Sequence, residues 1–161
     1  MRGLSFIVNN EYFTVDIELV QQVMRKMTIT PVPSAPDNVT GITNLKGRVI
    51  TILNLCVLLG HKKKSTLSRA EEYNSNEANA IIFKALSDSD YQLGLLIDKP
   101  GNLVEIDDNT IRPPSLPSGA EESFCICGIA EMNNRLFRII NVDSIINKYK
   151  YNGGNENAEN N

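Results

Sequence analysis

Short apolar runs separated by turn residues make up most of the chain, and the helical period is almost absent. Three pairs of these runs flank a two-residue segment that suits a tight turn, which predicts three β-hairpins. The turn residues are Asn9-Asn10, Lys46-Gly47 and Asn133-Asn134. Many short strands at regular spacing predict an all-β sandwich or barrel.

The segments between the runs have turn and loop chemistry. Residues 31–36 and 112–119 are rich in proline, which excludes a helix or a central strand, so we expect two extended loops there. Residues 87–90 and 99–102 are predicted turns between three further strands. These strands are expected over residues 80–83, 93–97 and 103–106.

Helices are expected only as short pieces, with one or two turns within residues 18–23 and a short helix over residues 142–149. Residues 60–79 are polar and predict a long exposed loop between two halves of the chain. Residues 151–161 are predicted to be a disordered tail, because no core-forming residue follows Tyr151.

The sequence also repeats itself. Residues 41–54 align without a gap with residues 128–141, and Gly, Ile, Arg, Ile and Asn coincide in the two segments. Amphipathic hairpins resemble one another in general, yet the match suggests two related β lobes in one chain.

Composition narrows the class of protein. The chain has 161 residues, 42% of them hydrophobic, which indicates one soluble domain of ordinary size. Its 16 Lys and Arg against 19 Asp and Glu argue against nucleic acid as a partner, since such domains usually have a basic stripe. No run approaches the roughly 18 apolar residues of a membrane span, and the first apolar run is too short for a secretory signal. We therefore expect a cytoplasmic protein without direct membrane insertion.

Candidate chemistry is sparse. The one histidine, His61, lies beside three lysines in a polar segment that lacks the rigid orientation a general base requires. Cys56, Cys125 and Cys127 do not have the spacing of a redox or zinc site and are interpreted as small core residues. The sequence therefore predicts no catalytic residue, no metal and no cofactor.

Two carboxylates are candidates for an acid–base pair. Asp16 and Asp98 each follow an apolar strand, where they would support such chemistry if the two strand ends met. An aspartate that begins a turn at a strand end is far commoner. The absence of an evident active site favours a binding module.

The chain resembles the CheW family, the coupling proteins of bacterial chemotaxis, at Val39-x-Gly41-Ile42-Thr43-Asn44-Leu45-Lys46-Gly47-Arg48-Val49-Ile50. The family pattern is a Pro-containing loop, then Gly-Val-x-Asn-Leu-Arg-Gly, then an apolar strand that ends in Asp-Leu-Arg. Further segments match the family in the same order along most of the chain. They are residues 12–17, 20–23, 33–36, 93–98, 111–113 and 128–130.

The resemblance implies that residues 1–150 form a single CheW-like domain of two SH3-like five-stranded β barrels, packed around a shared apolar core. It also implies no catalytic activity. Such a protein would be an adaptor that couples transmembrane methyl-accepting chemoreceptors to the histidine kinase CheA, and it would be recruited to membrane-associated receptor arrays. The first lobe would bind the regulatory domain of the kinase, and a groove between the lobes would take the tip of the receptor. Other CheW-like modules could join it in rings.

Residue by residue, the resemblance implies kinase contacts at Thr40 and Gly41 and an array contact at Arg112. Receptor coupling is implied at Val20, Gln22, Lys46 and Leu103. An obligatory turn glycine at Gly41, and core packing at Val20 and Leu103, are the structural alternatives.

Four positions depart from the family pattern: Lys46 replaces an Arg, Asn54 and Cys56 replace an Asp and an Arg, and Gln22 replaces an acidic residue. We hypothesise that Lys46 either reaches the side-chain oxygen of Gln22 or stays solvated. Two alternative functions stay open, an adaptor of a related motility or developmental kinase pathway and a small enzyme or ligand-binding barrel that uses Asp16, Asp98 or His61.

Overall fold

The computed structural model describes residues 1–60, 78–85, 92–114 and 124–149, and these ranges contain ten strands in two five-stranded sheets. The strands are β1 (Arg2–Val8), β2 (Glu11–Asp16), β3 (Val20–Met27), β4 (Val39–Leu45), β5 (Arg48–Asn54), β6 (Ala78–Phe83), β7 (Leu93–Ile97), β8 (Lys99–Glu105), β9 (Ile126–Met132) and β10 (Arg135–Ile140). Helix α1 covers Leu55–Leu58 and helix α2 covers residues 142–149, as predicted near the C-terminus. Single 3-10 turns lie at Ile17–Leu19 and Asp108–Thr110.

The two sheets define two lobes that are not successive halves of the chain. Lobe A is the sheet β8-β1-β2-β10-β9, and lobe B is the sheet β3-β6-β7-β5-β4. The predicted fold class of two five-stranded β lobes is confirmed. The prediction that residues 60–79 divide the chain into two halves is wrong, because β3–β5 before that segment and β6–β7 after it share one sheet. Residues 61–77 and 150–161, which include His61 and the predicted tail, lie outside the described residues.

The lobes have the same topology in a circularly permuted chain order. In lobe B the β4–β5 hairpin is followed across the sheet by β7, parallel to β5, and then by β6 and β3, each antiparallel to its neighbour. In lobe A the β9–β10 hairpin is followed by β2, parallel to β10, and then by antiparallel β1 and β8. Lobe A therefore combines the first two strands of the chain with its last three.

The internal sequence repeat is confirmed at the level of strand register. Gly41 pairs with Ile52 in one hairpin, and Gly128 pairs with Ile139 in the other. Both hairpins have a register shift at the end away from the turn, and both first strands form an isolated bridge with a preceding segment. The gapless alignment of residues 41–54 with 128–141 thus reflects one supersecondary unit used twice.

All three predicted hairpin turns are confirmed by their backbone. Both central residues have positive φ in each turn, from 51° at Asn133 to 83° at Gly47. This is the conformation of the mirror-image turn whose twist matches that of paired strands.

Two local predictions are wrong. Residues 18–23 form no regular helix: after the 3-10 turn, Val20 starts β3 and pairs with Phe83, so pairing with β6 determines the backbone. Residues 99–102 form the start of β8 rather than a turn. Pro100 is tolerated there because β8 is an outer strand, where a missing N–H breaks no further ladder.

The lobes share one hydrophobic core. It includes Phe6 and Phe13 from lobe A, Leu53 and Leu95 from lobe B, and Ile145 from α2, all nearly inaccessible to solvent. Separating the lobes would expose these side chains, so the two sheets form one cooperative unit.

Candidate functional site

A surface groove of about 470 Å³ lies on lobe B between β3 and the β4–β5 hairpin. Its lining combines flexible thioethers, aliphatic side chains and small polar groups. The lining residues are Met24, Met27, Thr28, Thr30, Ile42, Thr43, Asn44 and Val49. Val49 is 55% exposed at one side of the groove. Methionine-containing apolar grooves of this kind suit the docking of a partner's apolar side chains.

Cations flank the groove. Arg25 and Lys26 lie in sequence between the two lining methionines, and Lys46 and Arg48 lie between Asn44 and Val49. All four are exposed. Positive charge beside an apolar surface favours a partner with acidic side chains around an apolar contact.

The two predicted kinase contacts are internal residues of β4. Thr40 is 2% exposed, and its hydroxyl has no hydrogen-bond partner among the residues that the structure describes. Gly41 packs against the backbone of the preceding segment: a Cβ at this position would overlap the carbonyl oxygen of Thr30 and the side chain of Ile29. Gly41 is therefore required for close packing and not as a turn glycine. It is connected with the surface through its neighbours Thr30 and Ile42, which line the groove.

The predicted receptor positions are spread over both sheets. Val20 is buried in the shared core, which agrees with the alternative of ordinary core packing. Gln22 is half-buried on the same outer strand, β3. Leu103 is 58% exposed on β8, the outer strand of lobe A, so the core alternative does not hold for it. Lys46 is exposed at the tip of the β4–β5 hairpin.

No hydrogen bond joins Lys46 to Gln22 in the described ranges, and Lys46 is exposed at the turn of the β4–β5 hairpin. Of the two hypotheses, the solvated Lys46 agrees with the structure. Asn54 has a local role, since its side-chain oxygen accepts a hydrogen bond from the amide of Cys56 at 3.0 Å and caps α1. Asparagine caps helices about as well as aspartate, so this departure leaves the fold intact.

Arg112 is exposed in lobe A and forms an ion pair of 3.2 Å with Glu131. Its backbone also forms an isolated bridge with Ile129 of β9, the first strand of the β9–β10 hairpin. The seven residues implied by the resemblance therefore do not form one pocket, and none of them lines the groove. The groove residues form no recognisable motif in the sequence. Val49, an apolar residue on the outer face of a strand, was the one feature that could have indicated the groove.

Asp16 and Asp98 do not form an acid–base pair. Asp16 pairs with Gly3 and accepts a hydrogen bond from the amide of Glu18, whereas Asp98 accepts one from the amide of Asn9. The amide of Asp98 also bonds to Ile7, four residues along β1 from Gly3, which separates the two sites by about 13 Å along the strand direction, on opposite sides of β1. Each carboxylate satisfies a turn, as the commoner interpretation predicted.

The cysteines occupy three different environments. Cys125 is fully buried in the shared core, Cys56 is partly buried against it, and Cys127 is exposed, so the prediction of a core role is wrong for Cys127. Desolvation raises the pKa of the Cys127 thiol, which opposes the thiolate needed for nucleophilic chemistry. Within the residues that the structure describes, no group of His, Cys, Asp or Glu side chains has the arrangement of a metal site. Over the same residues, no helix has the length and apolar character to cross a bilayer.

The fold and the site thus define a two-lobed β module with a partly apolar surface groove. Comparison with known proteins gives the family. The CheW-like domain model matches residues 2–150. The chemotaxis protein CheW of Rhizobium meliloti is 28% identical over 143 residues, which cover 88% of this chain and 84% of that protein. The CheW of Thermotoga maritima is 26% identical over 145 residues, with coverages of 89% and 85%.

A solved structure agrees with these relatives. The scaffolding protein TtCheW of Thermoanaerobacter tengcongensis superposes with a TM-score of 0.69 at 26% identity, over 87% of this chain and 88% of that chain. The chain therefore belongs to the CheW family of chemotaxis scaffold proteins. This family is noncatalytic, so the chain is not an enzyme.

Proposed function

We propose that this protein is the adaptor that couples methyl-accepting chemoreceptors to the histidine kinase CheA at the cytoplasmic side of receptor arrays. The observation that supports the proposal most is the family match over residues 2–150, which includes all ten strands of the described residues. An adaptor needs contacts with more than one partner, and the exposed candidate positions lie on both lobes.

The groove of lobe B is the proposed kinase side. It lies directly over Gly41, a position that the resemblance connects with the kinase, because Thr30 and Ile42 both line the groove and contact or adjoin this glycine. The exposed Val49 supplies apolar area that gains free energy only when a partner covers it. Lobe B is thus the proposed equivalent of the lobe that binds the kinase in the family.

Leu103, Gln22 and Lys46 are the proposed receptor side. The exposed aliphatic side chain of Leu103 on an outer strand suits a helical receptor tip, which is recognised through aliphatic contacts. Val20 contributes indirectly by fixing the start of β3 in the core.

The first test measures binding of the purified chain to an isolated CheA regulatory domain from the same organism by calorimetry. Val49→Asp places a charge in the proposed apolar interface and should weaken binding more than tenfold, a loss of over about 1.4 kcal/mol. Leu136→Asp is the matched control, since Leu136 is 60% exposed at the equivalent position of lobe A. Equal affinities of the wild type and Val49→Asp would place the kinase surface elsewhere.

The second test measures receptor control of kinase activity in reconstituted complexes with a receptor cytoplasmic fragment. Lys46→Arg should be nearly neutral because Lys46 is solvated, whereas Lys46→Glu should impair receptor control more than it impairs kinase binding. If Lys46→Glu couples receptor to kinase as well as the wild type, Lys46 is not part of the receptor side. Absence of any binding to CheA would favour an adaptor of a related kinase pathway.

A further inference from the structure

Arg48 differs from most of the other arginines in the described ranges. Arg2, Arg112 and Arg138 each form an ion pair with a glutamate. Arg48 is exposed on the β4–β5 hairpin, and no carboxylate of the described residues pairs with it. Its guanidinium instead donates to the side-chain oxygen of Gln92 at 3.5 Å.

Gln92 is a buried amide in an otherwise apolar stretch. It is 3% exposed and lies directly before β7. Its side-chain nitrogen donates to the carbonyl of Phe83 at 2.9 Å and to the side chain of Gln21. Its backbone carbonyl accepts from the amide of Thr51 at 3.2 Å. Because a buried amide is costly unless it is bonded, the two side-chain contacts, with Gln21 of β3 and with Phe83 at the end of β6, hold the Gln92 side chain in one position.

Lobe A holds its equivalent arginine by different chemistry. Arg135 occupies the position of Arg48 in the repeat, and its guanidinium lies 4.8 Å from the centre of the Tyr12 ring. Tyr12 and Gln92 occupy equivalent positions in their lobes. Tyr12 lies on β2, which is parallel to β10, and Gln92 lies directly before β7, which is parallel to β5. In both lobes a side chain from the parallel neighbour therefore orients the hairpin arginine.

We propose that Arg48 selects a carboxylate on the partner that docks on lobe B, and that Gln92 is the positioning residue that orients Arg48 for this contact. The inference rests on the proposed function, in which the partner is the CheA regulatory domain. The bond to Gln92 uses one of the five guanidinium N–H groups and leaves the others for a bidentate contact. Arg48 immediately precedes the exposed Val49, and because successive strand residues face opposite sides of a sheet, the partner should present its Asp or Glu across the edge of the β4–β5 hairpin from the apolar side chain that enters the groove.

The test is a double-mutant cycle on binding to the isolated CheA regulatory domain, with Arg48→Met, Gln92→Met and the double variant. Arg48→Met should weaken binding about tenfold, the effect of losing one charge-assisted contact, and raised salt should weaken the wild type more than this variant. Gln92→Met should weaken binding about threefold in the wild type and less than about 1.5-fold when Arg48 is already Met. Arg135→Met is the matched control and should leave the affinity unchanged.

The outcomes separate the proposals. If the wild type does not bind the regulatory domain, the proposed function fails and this inference fails with it. If the wild type binds but Arg48→Met is neutral, or Gln92→Met has the same effect in both backgrounds, only this inference is overturned. Should Gln92→Met fail to fold, Arg48→Lys is the variant that tests the inference, because it keeps the charge but loses the planar fork of the guanidinium. Binding as weak as that of Arg48→Met would support positioning. Binding as tight as that of the wild type would contradict it.

Discussion

The β4–β5 hairpin of lobe B and the β9–β10 hairpin of lobe A have the same register and the same turn conformation, but they differ in the side chains that support them. Gly41 packs on the backbone of Thr30, whereas Gly128 packs mainly on the side chain of Ile111. The turn residues are Lys46-Gly47 in lobe B and Asn133-Asn134 in lobe A. The comparison shows that the shared backbone requires a glycine at the packing position and turn-forming residues at the tip, whereas the atoms that these residues contact differ between the two lobes.

The largest difference should appear when the two packing glycines are changed to alanine. In Gly41→Ala the new Cβ overlaps a backbone carbonyl, which moves only with its segment, so we expect a loss of about 3 kcal/mol in the free energy of unfolding. In Gly128→Ala the nearest atom is the γ2 methyl carbon of Ile111 at 2.6 Å, which belongs to a side chain and not to the backbone but moves only with the χ1 angle of a β-branched residue, so we expect a smaller loss of about 2 kcal/mol. Urea unfolding followed by circular dichroism gives both values, and equal losses would contradict the distinction between the two contacts.

A smaller effect is expected at the turns. Gly47 has φ of 83°, and the space that a Cβ would occupy there is open, so Gly47→Ala should cost about 1.5 kcal/mol from backbone conformation alone. Asn134 at φ of 62° already tolerates this region. Asn134→Gly should therefore change the free energy of unfolding by less than about 0.5 kcal/mol, because easier positive φ is offset by a more flexible unfolded chain. The same unfolding measurement applies. A loss above about 3 kcal/mol in Gly47→Ala would mean that the added methyl group clashes.

The smallest effect is expected at the helix caps that follow the two hairpins. Asn54 caps α1 through the amide of Cys56, and Asn141 bonds to the amide of Ser144 at 3.1 Å at the start of α2. Replacing either by Ala should lower the free energy of unfolding by about 1 kcal/mol, and Ser should restore most of it. Thermal unfolding of the four variants tests this, and an Ala variant as stable as the wild type would show that the bond is dispensable.

Local chemistry predicted the hairpins well because Asn and Gly, which occupy five of the six central turn positions, tolerate positive φ. It failed at residues 18–23 and 99–102, where pairing with a strand distant in sequence overrides the local preference. The alternation of polar and apolar residues identifies faces but not neighbours, so the division of the strands between the lobes was out of reach.

The site was less predictable than the fold. Thr40 and Gly41 were identified through the resemblance, but their burial depends on the segment that ends at Thr30. Gln92 is a single polar residue before an apolar run, and the sequence around it does not reveal that its side chain contacts Gln21 and Arg48. Such contacts depend on the order of strands in the finished sheet.

The permuted order of lobe A has a consequence for the time course of folding. All strands of lobe B follow one another along the chain, but the β1–β2 hairpin gains its neighbours only from β8 and β10, and the paired Glu11 and Arg138 are 127 residues apart. At a synthesis rate of about 5–20 residues per second, the ribosome needs roughly 6–25 seconds to cover that interval. During this time the β2 edge of the hairpin lacks its partner β10, and the β1 edge lacks β8 until residue 105 has been made. Closure of lobe A is expected to be the slow, late step because its contacts are the most distant in sequence.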